Sequence, residues 1–344
     1  MLFRSRSLMK NLLIDASNLS VIVDTFSGPL QVVRHMELQL RRGEIVGLVG
    51  ESGSGKSMTL ASFMSLHDPD KIYTKGDRLH ILGHDCLAFT EEDWRLLRGH
   101  QVAMIFQDPM TALNPILSIG QQLMEIMPKG QASMSKAIEL LTQVGLTDPE
   151  RRVSQYPYEL SGGMRQRVVI AMALAGQPKI LLADEPTTAL DVTTEAQILH
   201  LLQGLVRESG LGLVFVSHNL RVVSQLCDRV MVMYAGQWVE KGPVESVFFR
   251  PKHPYTQALL GALPQGKKKG QLKAIPGRAP DLANLPKGCP FYPRCSHAMQ
   301  ICAQEEAPIE ILSLGEKEHS IRCWLPASER EWKHESLVGG GGAQ

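Results

Sequence analysis

Eight consecutive residues, Gly50-Glu51-Ser52-Gly53-Ser54-Gly55-Lys56-Ser57, match the pattern G-x-x-x-x-G-K-[ST]. Glycines at these spacings let backbone amides turn inward without a Cβ in the way, and those amides bind phosphate oxygens. Lys56 then meets the β- and γ-phosphates and Ser57 ligates Mg²⁺, with Met58 opening the following helix. Gly50, Ser52, Gly53, Ser54, Gly55, Lys56, Ser57 and Met58 are therefore expected to line a nucleoside triphosphate. A second group is Ile180-Leu181-Leu182-Ala183-Asp184-Glu185, an apolar run ending in two carboxylates. Asp184 is placed to hold Mg²⁺, and Glu185 to orient and deprotonate an attacking water. A third is Leu160-Ser161-Gly162-Gly163-Met164-Arg165-Gln166-Arg167, where Ser161, Gly162 and Gly163 open a helix and form another anion-binding start.

Four cysteines form the last group. Cys289, Cys295, Cys302 and Cys323 are spaced C-x5-C-x6-C-x20-C, while Cys86 and Cys227 stand apart and read as ordinary buried thiols. Four thiolates suit either tetrahedral zinc or an iron–sulfur cluster. The lack of a tight C-x2-C pair argues against a zinc ribbon.

The elements that must position these residues follow from the apolar pattern. Residues 46–49, 102–106, 180–183 and 213–216 are short, apolar and rich in β-branched side chains or Leu. Such strands need cover on both faces, as in a parallel sheet flanked by helices. The phosphate loop follows the first of them and a helical pattern at 58–64 follows the loop. Residues 108–158 carry helical patterns at 119–127 and 135–144 with no strand signal, and read as a helical insertion. Beyond residue 246, prolines at 251, 254, 264, 276, 280, 286, 290 and 293 make regular structure hard to sustain. The basic run at 267–269 reads as a solvated loop, and 339–344 as a flexible tail.

Composition narrows the function. The chain has 344 residues, 44% hydrophobic and 21% charged, which is ordinary for a globular protein. With 36 basic and 35 acidic residues, the net charge of +1 offers no electrostatic case for nucleic acid or an anionic membrane. No apolar run approaches the ~20 residues of a membrane span. Asp15 and Asn18 interrupt the apolar stretch 12–23, so no secretory signal is expected. The reading is a cytoplasmic protein whose cysteines are thiols or metal ligands rather than disulfides.

Together the motifs resemble the ATP-binding subunits of ABC transporters. The stretch 160–166 resembles the family's signature motif, which in a head-to-tail dimer reaches the γ-phosphate held by the partner's phosphate loop. Gln107, in Phe106-Gln107-Asp108-Pro109, resembles the Q-loop glutamine, a contact of Mg²⁺ or the attacking water. Thr188-Ala189-Leu190-Asp191 resembles the D-loop, and His218 the switch histidine. The family's adenine-stacking aromatic corresponds to the stretch 19–26, where Phe26 or Val23 is the candidate. His253-Pro254-Tyr255-Thr256-Gln257-Ala258-Leu259-Leu260 and Asp108-Pro109-Met110-Thr111-Ala112-Leu113-Asn114-Pro115 resemble the oligopeptide, dipeptide and nickel importer branch.

This resemblance implies an α/β P-loop ABC-type nucleotide-binding domain at 1–245 with a helical subdomain at about 108–170. It adds a small irregular cysteine-bearing domain at 246–338. It implies ATP and Mg²⁺ as cofactors and a [4Fe–4S] cluster on Cys289, Cys295, Cys302 and Cys323, with Zn²⁺ second. It implies a second homologous ATPase subunit, favoured as a heterodimer, on two membrane permease subunits at the cytoplasmic face of the membrane, fed by an extracytoplasmic binding protein. Met104, Met110, Met124 and Met127 fall near the surface expected to meet the permease, although methionine more often packs a core. The expected activity is ATP hydrolysis driving peptide import, with nickel or a metal chelate as the other cargo. A soluble ABC ATPase acting on DNA or ribosomes fits less well, because the chain has one phosphate loop and no long heptad run. The phosphate loop and the cysteine segment are expected to be independent, so loss of a cysteine should spare ATP binding.

Overall fold

The computed structural model describes residues 11–188, 190–263, 275–314, 317–330 and 332. The chain begins with a long antiparallel hairpin, β1 (Leu12–Thr25) and β2 (Gly28–Arg41), followed by β3 (Ile45–Val49). Strands β4 (Ile72–Lys75), β5 (Arg78–Ile81) and β6 (His84–Asp85) return to the hairpin and complete an antiparallel sheet, with β4 and β5 both paired to β1. Strands β7 (Val102–Ile105), β8 (Ile180–Asp184), β9 (Gly212–Val216) and β10 (Arg229–Tyr234) join β3 in parallel, in the order β10-β3-β9-β8-β7. Antiparallel β11 (Gln237–Pro243), then β13 (Lys317–Arg322) and β12 (Ile309–Leu314), extend this second sheet beyond β10.

Every residue of β3, β8 and β9 is buried, as expected of strands covered on both faces. Alternation divides them between two cores. Leu181, Ala183, Leu213 and Phe215 face the helices Gly162–Ala175, Val192–Ser209 and Leu220–Leu226. Ile180, Leu182, Val214 and Val216 face the antiparallel sheet, against Leu19, Met36, Leu38 and Leu40. Each fully buried aliphatic side chain stabilises the sandwich by roughly 1.5–3 kcal/mol.

Between β7 and β8 the described residues form only helices, in agreement with the insertion expected there. Ser118 caps Ile119–Ile126 in a capping box with Gln121. Gln122, buried in that helix, bonds the backbone of Asn114 and Leu117 and so pins the stretch 113–118. Leu123, Leu140, Leu141 and Val144 then pack with Val168 in the helical core. Met127 is part of that core, whereas Met110 is 53% exposed.

The antiparallel sheet carries no clear signal in the sequence. The β1–β2 pairing shifts register at four places, and Asn18 and His35 adopt positive φ. Each shift resets the period-two pattern that would mark a half-buried strand. The segment beyond 246 is also more regular than its prolines suggest. Pro254 occupies the first turn of Pro254–Gly261, where a missing amide hydrogen removes no helical bond. The hairpin β12–β13 docks on β11 through the pairs Glu240↔Ile321 and Lys241↔Ser320, so this segment continues the second sheet. The basic run at 267–269 and the tail at 339–344 lie outside the described residues.

Candidate active site

Sheet order explains how residues far apart in sequence meet. The parallel strands β3, β9, β8 and β7 are neighbours, so the loops at their C-terminal ends converge on one edge. Those ends carry the phosphate loop, His218, Asp184-Glu185 and Gln107.

The loop leaves β3 at Gly50, with φ 151°. A Cβ there would lie 2.2 Å from the carbonyl oxygen of Met233, so only glycine fits. Gly55 (φ 96°) ends the loop as the N-cap of Lys56–Ser62. This helix begins two residues earlier than the apolar pattern suggested, so Lys56 is its first residue. The Lys56 ammonium donates to the carbonyls of Gly50 (2.8 Å) and Glu51 (3.0 Å) and to Ser54 Oγ (3.4 Å). Burial lowers its pKa, opposed by the carboxylates of Glu185, Asp184 and Glu51. Asp184 lies at the end of β8, where burial raises its pKa against a lowering hydrogen bond from Ser57. Ser57 and Asp184 thus offer a hydroxyl and a carboxylate side by side, a donor set suited to Mg²⁺.

One carboxylate oxygen gathers the rest. Glu185 Oε2 accepts from Gln107 Nε2 at 3.2 Å and Thr188 Oγ1 at 2.9 Å, and lies 3.0 Å from His218 Nδ1. A carboxylate can only accept, so Nδ1 of His218 carries the proton. Glu185 itself has φ 48° and donates its amide to Val216 O of neighbouring β9 (3.0 Å), which turns its side chain toward Gln107 and His218. Thr188, within the D-loop-like stretch, thus supplies a third partner to Glu185 through its hydroxyl.

Ser161, Gly162, Gly163 and Asp191 are largely exposed. Ser161 caps Gly162–Ala175 through Met164 N, and Asp191 caps Val192–Ser209 through Thr194 N. The Thr194 hydroxyl and amide lower the Asp191 pKa. A Cβ on Gly163 would meet Thr194 Cγ2 at 2.6 Å, so the two helix starts touch. Of the adenine candidates, Phe26 is fully exposed at the β1–β2 turn and Val23 is half-buried in β1.

Cys289, Cys295, Cys302 and Cys323 line one small cavity together with His253 and Phe291. Burial pushes the Cys289 thiol up to about 12 and Cys323 up to about 11, and raises Cys295. Cys86 and Cys227 are buried apart from them, as expected. Gly288 permits this packing, because a Cβ there would lie 2.4 Å from Cys302 O. Yet among the described residues no three or more His, Cys, Asp or Glu are placed to hold a metal ion. Neither the expected [4Fe–4S] cluster nor the expected Zn²⁺ finds a formed metal site there.

A further correction concerns independence. Arg294, beside Cys295, grips Glu51 of the phosphate loop with both terminal nitrogens, at 2.6 and 3.0 Å. The Tyr255 hydroxyl accepts from Glu51 N at 2.9 Å. The cysteine-bearing segment and the phosphate loop are one packed unit. Residues 243 positions apart leave no spacing signal, so nothing in the motif pointed to this contact.

Comparison with known proteins agrees with the geometry. Residues 33–188 match the ABC transporter family, and residues 239–302 match the oligopeptide/dipeptide transporter C-terminal region. An oligopeptide transport ATP-binding protein of Bacillus subtilis is 45% identical over 320 residues, covering 91% of this chain and 88% of that relative. The chain belongs to the ATP-binding subunits of the oligopeptide/dipeptide ABC transporter family. A probable D,D-dipeptide transport ATP-binding protein of Escherichia coli is 44% identical, covering 92% of this chain and 97% of that relative. Among solved structures, an ATP-binding cassette dimer in a post-hydrolysis state bound to ADP and Pi aligns with a TM-score of 0.60 at 28% identity. It covers 67% of this chain and 98% of that structure. As an ABC ATPase, the chain hydrolyses ATP in the service of transport. Among the described residues no helix is long and apolar enough to cross a membrane.

Proposed function

We propose that this chain is the ATP-hydrolysing subunit of an importer of dipeptides or oligopeptides. The convergence of Gln107, Thr188 and His218 on Glu185 Oε2, beside the phosphate loop, carries the hydrolytic part of the reading. The peptide cargo rests on the relatives, which are named for peptide transport and favour it over nickel. ATP would lie along residues 50–57, with Lys56 meeting its terminal phosphates and the loop amides holding the others. Ser57, Asp184 and Gln107 would hold Mg²⁺. Glu185 would take a proton from the attacking water, with His218 sensing the γ-phosphate.

The Ser161-Gly162-Gly163 start and Asp191 are largely exposed. A second ATPase packed head-to-tail would bring them to the partner's loop, as the dimeric relative makes reasonable. We favour a heterodimer on two permease subunits, working at the cytoplasmic face of the membrane with an extracytoplasmic binding protein. Reconstitution with the permeases and second ATPase should give ATP-dependent uptake of labelled peptide. Stimulation of hydrolysis by nickel but not by peptide would overturn the cargo.

For the cysteine cavity the proposal is a [4Fe–4S] cluster, a group that four Cys thiolates hold. Four thiols on one cavity support it. When bound, the cluster would cross-link a segment rich in turns. Anaerobically purified protein should carry about four iron and four sulfide per chain. Stoichiometric zinc without sulfide, or no metal, would reject the cluster.

A further inference from the structure

We propose that Arg294 is a positioning residue for the phosphate loop, through which the cysteine-bearing segment sets nucleotide affinity. The proposal rests on reading residues 50–57 as the nucleotide loop. Glu51 occupies a position that the loop motif leaves open, so phosphate chemistry alone does not require a carboxylate there. Its side chain is nevertheless held at both oxygens by Arg294, in a bidentate pair whose arginine side chain is only 6% exposed. Arg294 is itself fixed: Nε donates to Pro276 O at 2.7 Å, and Nη1 to the Tyr234 hydroxyl at 3.3 Å. Glu51 is also fixed from its backbone, through Tyr255. Tyr234, Tyr255 and Phe291 pack ring against ring, with centroids 4.6–5.3 Å apart, beside the pair, whose Glu51 side chain stays 27% exposed.

The chain of contacts then reaches the phosphate site. The carbonyl of Glu51, held between these two anchors, accepts from Lys56 Nζ. On the other side, Arg294 closes a turn that begins in the cysteine group, with Tyr292 N donating to Cys289 O and Arg294 N to Phe291 O. Cys289, Cys295 and Phe291 all line the cysteine cavity. The shape of the cysteine segment therefore decides where the guanidinium stands.

Two physical effects give the pair its influence on ATP. Loop amides bind phosphate best when already ordered, and a bidentate arginine–carboxylate pair orders the first turn of the loop. Arg294 also neutralises a carboxylate that would otherwise repel the incoming polyphosphate in a partly buried site.

The test is titration of full-length protein with a fluorescent ATP analogue, together with KM and kcat for ATP in the assembled transporter. Arg294→Ala should weaken analogue binding and raise KM about tenfold, the scale of one lost charge-assisted hydrogen-bond pair. Its kcat at saturating ATP should stay within about twofold of wild type, since Glu185 and His218 are untouched. Arg294→Lys, which keeps the charge without the fork, should fall between. Adding Glu51→Gln to Arg294→Ala should recover most of the affinity by removing the uncompensated carboxylate. A purely structural role would lower the melting temperature with KM unmoved, and that result overturns the proposal. Additive losses in the double variant overturn it too. If Arg294→Ala fails to fold, Arg294→Lys and Glu51→Gln carry the same comparison. Lys56→Ala is the control: wild-type affinity in that variant would sink the nucleotide reading of the loop itself, whereas loss there with wild-type affinity in Arg294→Ala sinks only the positioning role.

Discussion

Glu185→Gln is expected to lower ATP turnover by about 10²–10⁴-fold while leaving ATP binding in place, the range for loss of a positioned general base. The amide is isosteric with the carboxylate, and its oxygen can still accept from Gln107, Thr188 and His218, which now converge on Glu185 Oε2. What disappears is the negative charge that takes the water's proton. The phosphate loop, built on β3, does not depend on that charge for its shape. The variant should therefore accumulate with ATP bound, and nucleotide-trapped dimers should appear on size exclusion. Turnover at the wild-type rate in an assembled transporter would remove Glu185 from the mechanism.

Glu240→Ala should lower the unfolding free energy by about 3–5 kcal/mol, the usual effect of breaking a buried charged network by removing one member. Glu240 is fully buried in β11. Its two oxygens receive Lys252 N (2.7 Å), His253 N (2.9 Å) and His319 Nε2 (2.8 Å). Alanine would remove the acceptor of all three donors, two of which belong to the buried His253 and His319. The same carboxylate ties β13 and the start of Pro254–Gly261 to the second sheet, so the denaturant midpoint should fall for the whole chain. Glu240→Gln keeps an acceptor oxygen and should be milder. An unchanged midpoint in Glu240→Ala would show that these donors find other partners.

The legible parts of this protein are those whose physics is local. A phosphate loop needs glycines at set spacings, so residues 50–57 announce themselves whatever surrounds them. Fully buried strands such as β8 and β9 need apolar residues throughout, so their positions could be read to within about a residue. Gln107, Glu185 and His218 were each recognised from the motif around them. That they share one oxygen follows from the neighbour order β9-β8-β7, which no local pattern encodes.

The long hairpin β1–β2 was missed because register shifts break its alternation. The hairpin β12–β13 was missed because the prolines before it, read as general breakers, sit at helix starts and turns that tolerate them. The cysteines were legible as a group, since four in one segment are unusual, but their arrangement about the cavity depends on a close approach at Gly288. By itself, then, the amino-acid sequence determined the phosphate-loop motif, the carboxylate proposed for hydrolysis and the family resemblance, because each resides in a short run of residues. Only the tertiary structure decided that the cysteine segment joins the nucleotide sheet and grips the phosphate loop through Arg294 and Glu51. A salt bridge between residues 51 and 294 forms because Tyr234, Tyr255 and Phe291 bury together and bring the two charges within reach, and that packing exists only in the folded chain.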